Sequence, residues 1–275
     1  GIISGGAALT KVGSDIVVLS GNNRYTNGTS ILNGTLQLAS SWSAVNTTGP
    51  VGTGAVTVST SANTNHATLD LAGQSITNDL ALVGSSSYIA NVINSSSAAA
   101  TASGNVTLAS TTNIGSNNGA ITLSGVMSNS SSAATLIKVG SNTVTLTNAN
   151  TYSGGTTINN GILQAGGVSV GSVGSITSGP FGTAGITIGA NASSTATLDL
   201  NGNTVLNAIT VNGTGVSGTS NLIGALANTN TLNAGVVSAN VTLASNSYLG
   251  DGGNFTINGI VGGNFILTKV GVGSL

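Results

Sequence analysis

Apolar and polar residues alternate in short runs along the whole chain. Examples are TLQL, AVTV, TLDL, NVTL, AITL, TVTL and FTI, and each run is bounded by Gly, Asn or Ser. Alternation with a period of two places one set of side chains inward and the other outward, which predicts β-strands. No segment keeps a 3.6-residue period with helix caps, so we expect essentially no α-helix. Strands at intervals of about 7–12 residues suit a β-sandwich, a barrel or a β-solenoid.

A long internal repeat favours the solenoid. The pentapeptides LTKVG, LIKVG and LTKVG contain the chain's three lysines, Lys11, Lys138 and Lys269, at intervals of 127 and 131 residues. Residues 9–40 and 136–167 align without a gap and are identical at 16 of 32 positions. We therefore interpret residues 1–275 as one continuous β-solenoid with long repeats at about 9–135 and 136–266 and a third copy that begins at 267. We expect it to be a segment of a longer array.

The segment ATLDLAGQSI illustrates how one coil is expected to form. Leu69 and Leu71 should face the core, Asp70 between them should face outward, Gly73 should bend the chain, and Ile76 should return to the core. Stacked Asn, Ser and Thr side chains can also bond along the axis. A coil of roughly 20–25 residues gives about 11–13 coils, or five or six per long repeat.

Charge is almost absent from this sequence. Five Asp, three Lys and one Arg among 275 residues give a net charge of −1. Nucleic-acid binding depends on clustered Lys and Arg, so we predict no nucleic-acid partner. No run of about 18 apolar residues occurs, so no membrane span is predicted in this segment. The absence of Cys excludes disulfides, thiolate metal sites and Cys nucleophiles.

The motifs LTKVG, VVLSGNNRYTNGTSILNGTLQL and VTLTNANTYSGGTTINNGILQ resemble the passenger-associated transport repeat of bacterial autotransporters. The resemblance covers the two 32-residue segments and the truncated third copy. It departs from the family pattern at residues 15–16, where Asp-Ile replaces the usual Gly-Thr. It implies a right-handed parallel β-helix that is exported and displayed at the bacterial cell surface or released outside the cell.

Candidate chemistry is sparse. A glycosidase would need two neighbouring carboxylates, and Asp70 with Asp79 is the best pair in the sequence. His66 is the single histidine, and we interpret it as an exposed turn residue. The segment GDGGN at 250–254 has one acid and lacks the spacing of calcium-binding solenoids. We predict no catalytic, cofactor-binding or metal-binding residues and no cofactor.

Other repeated or isolated residues have structural interpretations. The three lysines are expected to mark a turn at a coil edge with their stems on apolar surface, and Tyr25 and Tyr152 to cover the same coil boundary. Trp42 lies in a loop without a copy in the second repeat. It could contact a sugar or a partner, or cap the core.

These observations favour an extracellular structural or adhesive protein without catalytic activity: a surface stalk, an adhesin shaft or a fibre subunit. Expected partners are neighbouring copies of the chain, end to end or side by side, and surface polysaccharide. The alternative is a β-helix enzyme or module that cleaves or binds polysaccharide. That alternative rests on fold analogy, which says little about function.

Overall fold

A computed structural model describes residues 1–43, 48–60, 66–85, 88–130, 132–190, 193–216 and 223–275. Within these residues the chain forms short β-strands and no α-helix. None of the described residues form a helix with the length and apolar character that a membrane span requires. The predicted all-β class is therefore confirmed.

The strands of the described residues contain two to five residues each. Those that precede the second long repeat are β1 (Ser4–Gly5), β2 (Leu9–Lys11), β3 (Ile16–Leu19), β4 (Arg24–Tyr25), β5 (Thr29–Ile31), β6 (Gly34–Leu38), β7 (Val56–Ser59), β8 (Ala67–Asp70), β9 (Ser75–Ile76), β10 (Leu80–Val83), β11 (Ala90–Ile93), β12 (Ala100–Ala102), β13 (Val106–Leu108), β14 (Thr112–Ile114), β15 (Ile121–Leu123) and β16 (Met127–Asn129).

The remaining strands begin with the second LxKVG motif. They are β17 (Leu136–Lys138), β18 (Thr143–Leu146), β19 (Thr156–Ile158), β20 (Gly161–Ala165), β21 (Val170–Ser172), β22 (Ser175–Ser178), β23 (Ile186–Ile188), β24 (Ala196–Asp199), β25 (Thr204–Val205), β26 (Ile209–Val211), β27 (Leu226–Ala227), β28 (Gly235–Val237), β29 (Val241–Leu243), β30 (Ser247–Leu249), β31 (Phe255–Ile257), β32 (Val261–Gly262) and β33 (Leu267–Lys269).

The strands stack in parallel along three faces of a solenoid of about eleven coils. Face 1 contains the sheet β2-β5-β7-β10-β13-β16 and, further along, β25-β28-β31. Face 2 contains the eleven strands β3-β6-β8-β11-β14-β17-β19-β23-β26-β29-β32, and face 3 the nine strands β9-β12-β15-β18-β20-β24-β27-β30-β33. Each coil visits faces 1, 2 and 3 in that order. Parallel stacking pairs every interior strand on both edges, which is the predicted solenoid.

Alternation places the aliphatic side chains inside, as the sequence indicates. On face 2 the interior column runs through Leu36, Leu69, Val92 and Ile114, which occupy paired positions in successive strands. All four side chains are at most 1% exposed. Leu71 and Ile76 are also buried, and Gly73 has φ +78°, so these parts of the predicted coil are confirmed. The core is narrow and needs few aromatic side chains.

The long repeat does not contain a whole number of coils. Five steps along face 1 lead from β2 to β16, and β17 then follows on face 2. Five steps along face 2 lead from β17 to β32, and β33 follows on face 3. The unit therefore spans five and one third coils of about 24 residues each. Equivalent residues of successive units lie on successive faces.

One insertion interrupts the regular coils. The strands β21 and β22 form an antiparallel hairpin that belongs to the second unit. In the first unit the corresponding position holds the loop that contains Trp42. Val168, Val170 and Val173 of this insertion are 51–54% exposed. The insertions thus distinguish two units whose coils are otherwise built alike.

Candidate functional site

Two of the three repeated lysines, Lys11 and Lys138, lie inside the core, which corrects the expectation of a surface turn for them. Lys138 occupies the interior column of face 2 between Ile114 and Ile158, and its side chain is 0% exposed. Its ammonium Nζ donates to the carbonyl oxygens of Val139 at 2.8 Å, Gly140 at 2.7 Å and Asn160 at 3.0 Å. Asn160 belongs to the following coil. The lysine therefore ties two coils together from inside.

Lys11 repeats this geometry in full, and Lys269 repeats the part of it that lies within its own turn. Lys11, 4% exposed, donates to Val12, Gly13 and Asn33 over 2.6–3.0 Å. Lys269 lies in the last coil and donates only to Val270 and Gly271 within the described residues. Burial lowers the pKa of Lys138 to about 7 and also lowers the pKa of Lys11. Asp15 partly opposes the shift of Lys11 through its charge.

Asp199 forms a second clamp, which spans three successive coils. It is 0% exposed and accepts hydrogen bonds from Gln164 Nε2 at 2.8 Å, Asn201 N at 3.0 Å, Thr229 N at 2.9 Å and Thr229 Oγ1 at 2.7 Å. Gln164 lies in the preceding coil and Thr229 in the following one. A buried carboxylate is stable only when donors saturate it in this way.

Asp70 lies in the outward column of face 2, paired with Gln37, as predicted, but it is buried rather than exposed. Asp70 is 2% exposed and accepts the equivalent bonds from Gln37, Ala72 and Ser95. The following residues, Ala72 and Asn201, both have φ +47°, which turns the backbone so that its N–H points at the carboxylate. Side chains of the two adjacent coils cover the strand end, so alternation along one strand does not determine burial there.

The paired tyrosines are core residues. Tyr152 is 0% exposed, and its hydroxyl lies 2.7 Å from Thr156 Oγ1, which donates to the Phe181 carbonyl at 3.1 Å. Tyr25 has the same arrangement with Thr29 and Val51. Burial raises the pKa of both tyrosines, because a phenolate would be poorly solvated there.

Tyr152→Phe is expected to lower the free energy of unfolding by about 1 kcal/mol, the net value of one buried hydrogen bond. Tyr248→Phe is the control, because Tyr248 is only partly buried. Urea unfolding followed by circular dichroism measures both. An equal loss in the two variants would contradict the role of the Tyr152–Thr156 bond.

The remaining candidates for chemistry, His66 and Asp251, do not form a shared site with each other. His66 is exposed and its ring contacts Tyr88 edge-on, with 5.9 Å between ring centroids. Burial raises the pKa of Asp251, partly opposed by a hydrogen bond from the Gly252 backbone and reinforced by the charge of Asp199. Among the described residues no three His, Asp or Glu side chains cluster at metal-binding distances.

Asparagines that the sequence analysis did not single out fill the coil corners. Asn228 is 0% exposed; its Nδ2 donates to three backbone carbonyls, and its Oδ1 accepts from Gly202 N at 2.7 Å. Asn94, at the equivalent place of the first unit, bonds in the same manner. Both asparagines directly follow a strand, and this shared position is the sequence feature from which their corner role could have been predicted. The predicted hydrogen bonding of Asn along the axis is confirmed.

Trp42 and Asp79 line one surface cleft of about 350 Å³, which we call the first cleft. Its walls are Trp42, Thr53, Gly54, Ala55, Thr77, Asn78 and Asp79. Asp70 is not among them, so the structure does not bring the Asp70–Asp79 pair together there. Trp42 N donates to the Ser75 carbonyl at 2.8 Å, which fixes the Trp42 backbone on the strand of the next coil.

The second unit builds an equivalent cleft of about 280 Å³, the second cleft, one face further round. Ser169 takes the place of Trp42, because Ser169 N donates to Thr204 at the start of β25 just as Trp42 N donates to Ser75 at the start of β9. The walls are mostly apolar. They include Thr183, Ala184, Leu206 and Ala208, together with Val173 and Ile176 of the hairpin.

Comparison with known proteins identifies the repeated motif. Residues 9–38 and 136–165 each match the family model of the passenger-associated transport repeat. Searches of the curated proteins and of the solved structures gave no match. The resemblance stated from the sequence is therefore confirmed in both segments, which carry the lysine clamp and the buried tyrosine. Two such repeats on a parallel β-solenoid are consistent with an autotransporter passenger.

Proposed function

We propose that this autotransporter passenger solenoid is a structural shaft displayed outside the bacterial cell, and that copies of it associate end to end. The observation that carries the proposal is the set of buried side-chain clamps that join neighbouring coils in both units. Lys138, Asp199 and Asn228 each bridge coils through buried hydrogen bonds. In a solenoid, stability is nearly a sum of such neighbour interactions, so the rod can be extended without a cofactor.

Apolar side chains are exposed at both ends of the described solenoid, where a further coil of the same chain or a second copy could stack. Ile16, Val17 and Val18 of β3 are 42–62% exposed, and among the described residues β3 pairs only with β6. At the opposite end Ile266 and Leu267 are 39–66% exposed. An open sheet edge with apolar side chains is a template for another strand. With a net charge of −1, little repulsion opposes contact between copies.

The carboxylates support a role without catalysis. Hydrolysis of a glycosidic bond needs two carboxyl groups that face one substrate. Asp79 is the one carboxylate that lines the first cleft, whereas Asp70 and Asp199 are buried beneath hydrogen-bond donors of adjacent coils. The polysaccharide-cleaving alternative has no comparable support.

Val18→Lys should keep the chain at its monomer mass of 26.3 kDa, while the unchanged chain should grow in mass with concentration. A lysine on an open edge must be desolvated when another strand pairs there, which disfavours stacking. Sedimentation velocity across a hundredfold concentration range measures this.

Val170→Lys is the matched control, because Val170 is as exposed as Val18 but lies on the hairpin rather than at an end. It should associate like the unchanged chain. Equal loss in both variants would indicate lateral contact through the hairpin, and a monomeric unchanged chain would refute end-to-end association.

A further inference from the structure

The geometry points to the first cleft as a binding site for a neutral saccharide. This inference deepens the proposed surface display, on which it rests for access to extracellular glycans. The first cleft has a volume of about 350 Å³, within the range of about 300–1,000 Å³ that is typical of small-molecule sites. The cleft combines one aromatic ring, hydroxyl groups and oxygen acceptors, which are the groups that a pyranose ring can use.

Trp42 provides the apolar surface of the site. Its side chain is partly exposed, and it packs over Gly49, where an added Cβ would lie 3.0 Å from Trp42 Cδ1. The close contact with Gly49 and the bond to Ser75 hold the indole in place before any ligand arrives. An indole face attracts the C–H groups on the apolar side of a sugar ring, while the sugar hydroxyls stay free for hydrogen bonds.

Asn78 lines the cleft and carries a buried amide oxygen without a partner in the described part of the chain, which a sugar hydroxyl reaches only after a small side-chain movement. Its Nδ2 donates to the Gly52 and Gly54 carbonyls, whereas its Oδ1 has no hydrogen-bond partner in the described part of the chain, although Asn78 is only 6% exposed. At the equivalent position of the second unit, Asn207 Oδ1 accepts from Ser169 Oγ at 3.4 Å. Trp42 replaces that serine in the first unit and leaves the amide oxygen unpaired.

The polar walls of the first cleft are also specific to it. Asp79 is exposed, and its Oδ1 accepts from Asn105 N at 2.8 Å. Its second oxygen accepts no hydrogen bond from the described residues, and Thr77 is exposed beside it. The second cleft has Ala208 and Leu206 in these places. The cleft of the second unit is thus mostly apolar, and the nearby Asn207 amide oxygen has a partner within the chain. The cleft of the first unit is polar, and the Asn78 amide oxygen has none among the described residues.

The test uses Trp42 itself as the reporter, because it is the chain's single tryptophan. Its fluorescence is titrated with methyl glycosides of glucose, galactose, mannose and N-acetylglucosamine. We expect a saturable change with at least one glycoside and a dissociation constant on the order of 1 mM, as a small shallow site allows. Asp79→Ala should weaken that binding about tenfold, because a hydrogen bond to a charged acceptor is lost.

Asp79→Ala is expected to fold, since the second unit carries alanine at this position. Thr183→Ala in the second cleft is the matched control and should bind like the unchanged chain. No saturable change with any of the four glycosides would overturn the inference, as would equal affinity after Asp79→Ala. A response to choline alone would assign the cleft to cations instead. None of these outcomes affects the sedimentation result, so the shaft and the saccharide site are tested separately.

Discussion

Lys138→Met is expected to lower the free energy of unfolding by about 3 kcal/mol at pH 7. Methionine keeps the apolar stem but donates no hydrogen bond, so the carbonyls of Val139, Gly140 and Asn160 lose their shared donor. Each unsatisfied buried acceptor costs about 1–3 kcal/mol, partly offset because a charge no longer has to be buried. Urea unfolding followed by circular dichroism gives the difference.

Lys269→Met is the matched control within the same motif. Lys269 is exposed and, within the described residues, bonds to two carbonyls of its own turn, so its replacement should change stability by no more than about 0.5 kcal/mol. Similar losses in the two variants would show that the motif acts through its local turn. A larger loss at Lys138 supports the tie between coils.

The same residue predicts a dependence on pH. Burial lowers the pKa of Lys138 from 10.5 in the unfolded chain to about 7. Between these values the unfolded chain binds more protons than the native one, so the free energy of unfolding rises with pH. Lys138→Met should remove the part of that rise that comes from Lys138 and leave the part that comes from Lys11. The pH series should end at about pH 9.5. Above that pH, tyrosines ionise more readily in the unfolded chain than in the native one, which lowers the free energy of unfolding.

Asp199→Ala is expected to cost about 4 kcal/mol. Gln164, Asn201 and Thr229 would lose their acceptor, and their partly buried donors would be left unpaired between three coils. Asp70→Ala should cost a similar amount, since it removes the equivalent clamp of the first unit. Urea midpoints by circular dichroism measure both variants.

Asp79→Ala is the control for these two substitutions. Asp79 is exposed, so its loss should change stability by no more than about 0.5 kcal/mol while it weakens saccharide binding. A cost at Asp199 as small as that at Asp79 would contradict the role of the carboxylate clamp.

The local pattern of the sequence was sufficient for the strands and the core. Period-two alternation identified runs such as TLDL, and Leu69 and Leu71 are buried as expected. The spacing of the lysines indicated a unit of five or six coils, and the unit spans five and one third. These features depend on neighbours along the chain, which a sequence displays directly.

The pattern failed where burial depends on other coils. Asp70 alternates with leucines and was expected outside, but Gln37 and Ser95 from adjacent coils enclose it. Lys138 was expected on a turn because charge avoids the core. Three carbonyls that converge from two coils make its burial possible.

The sequence by itself determined the all-β class, the aliphatic interior and the repeated unit. The first two follow from the alternation of apolar and polar residues, and the third follows from the internal repeat. Only the tertiary structure decided that the unit rotates by one face per copy, since the number of residues per coil depends on how corners and insertions close. It also decided that Trp42, Asn78 and Asp79 meet in one cleft. Their side chains come together through stacking of successive coils, over separations in the chain that no local pattern encodes.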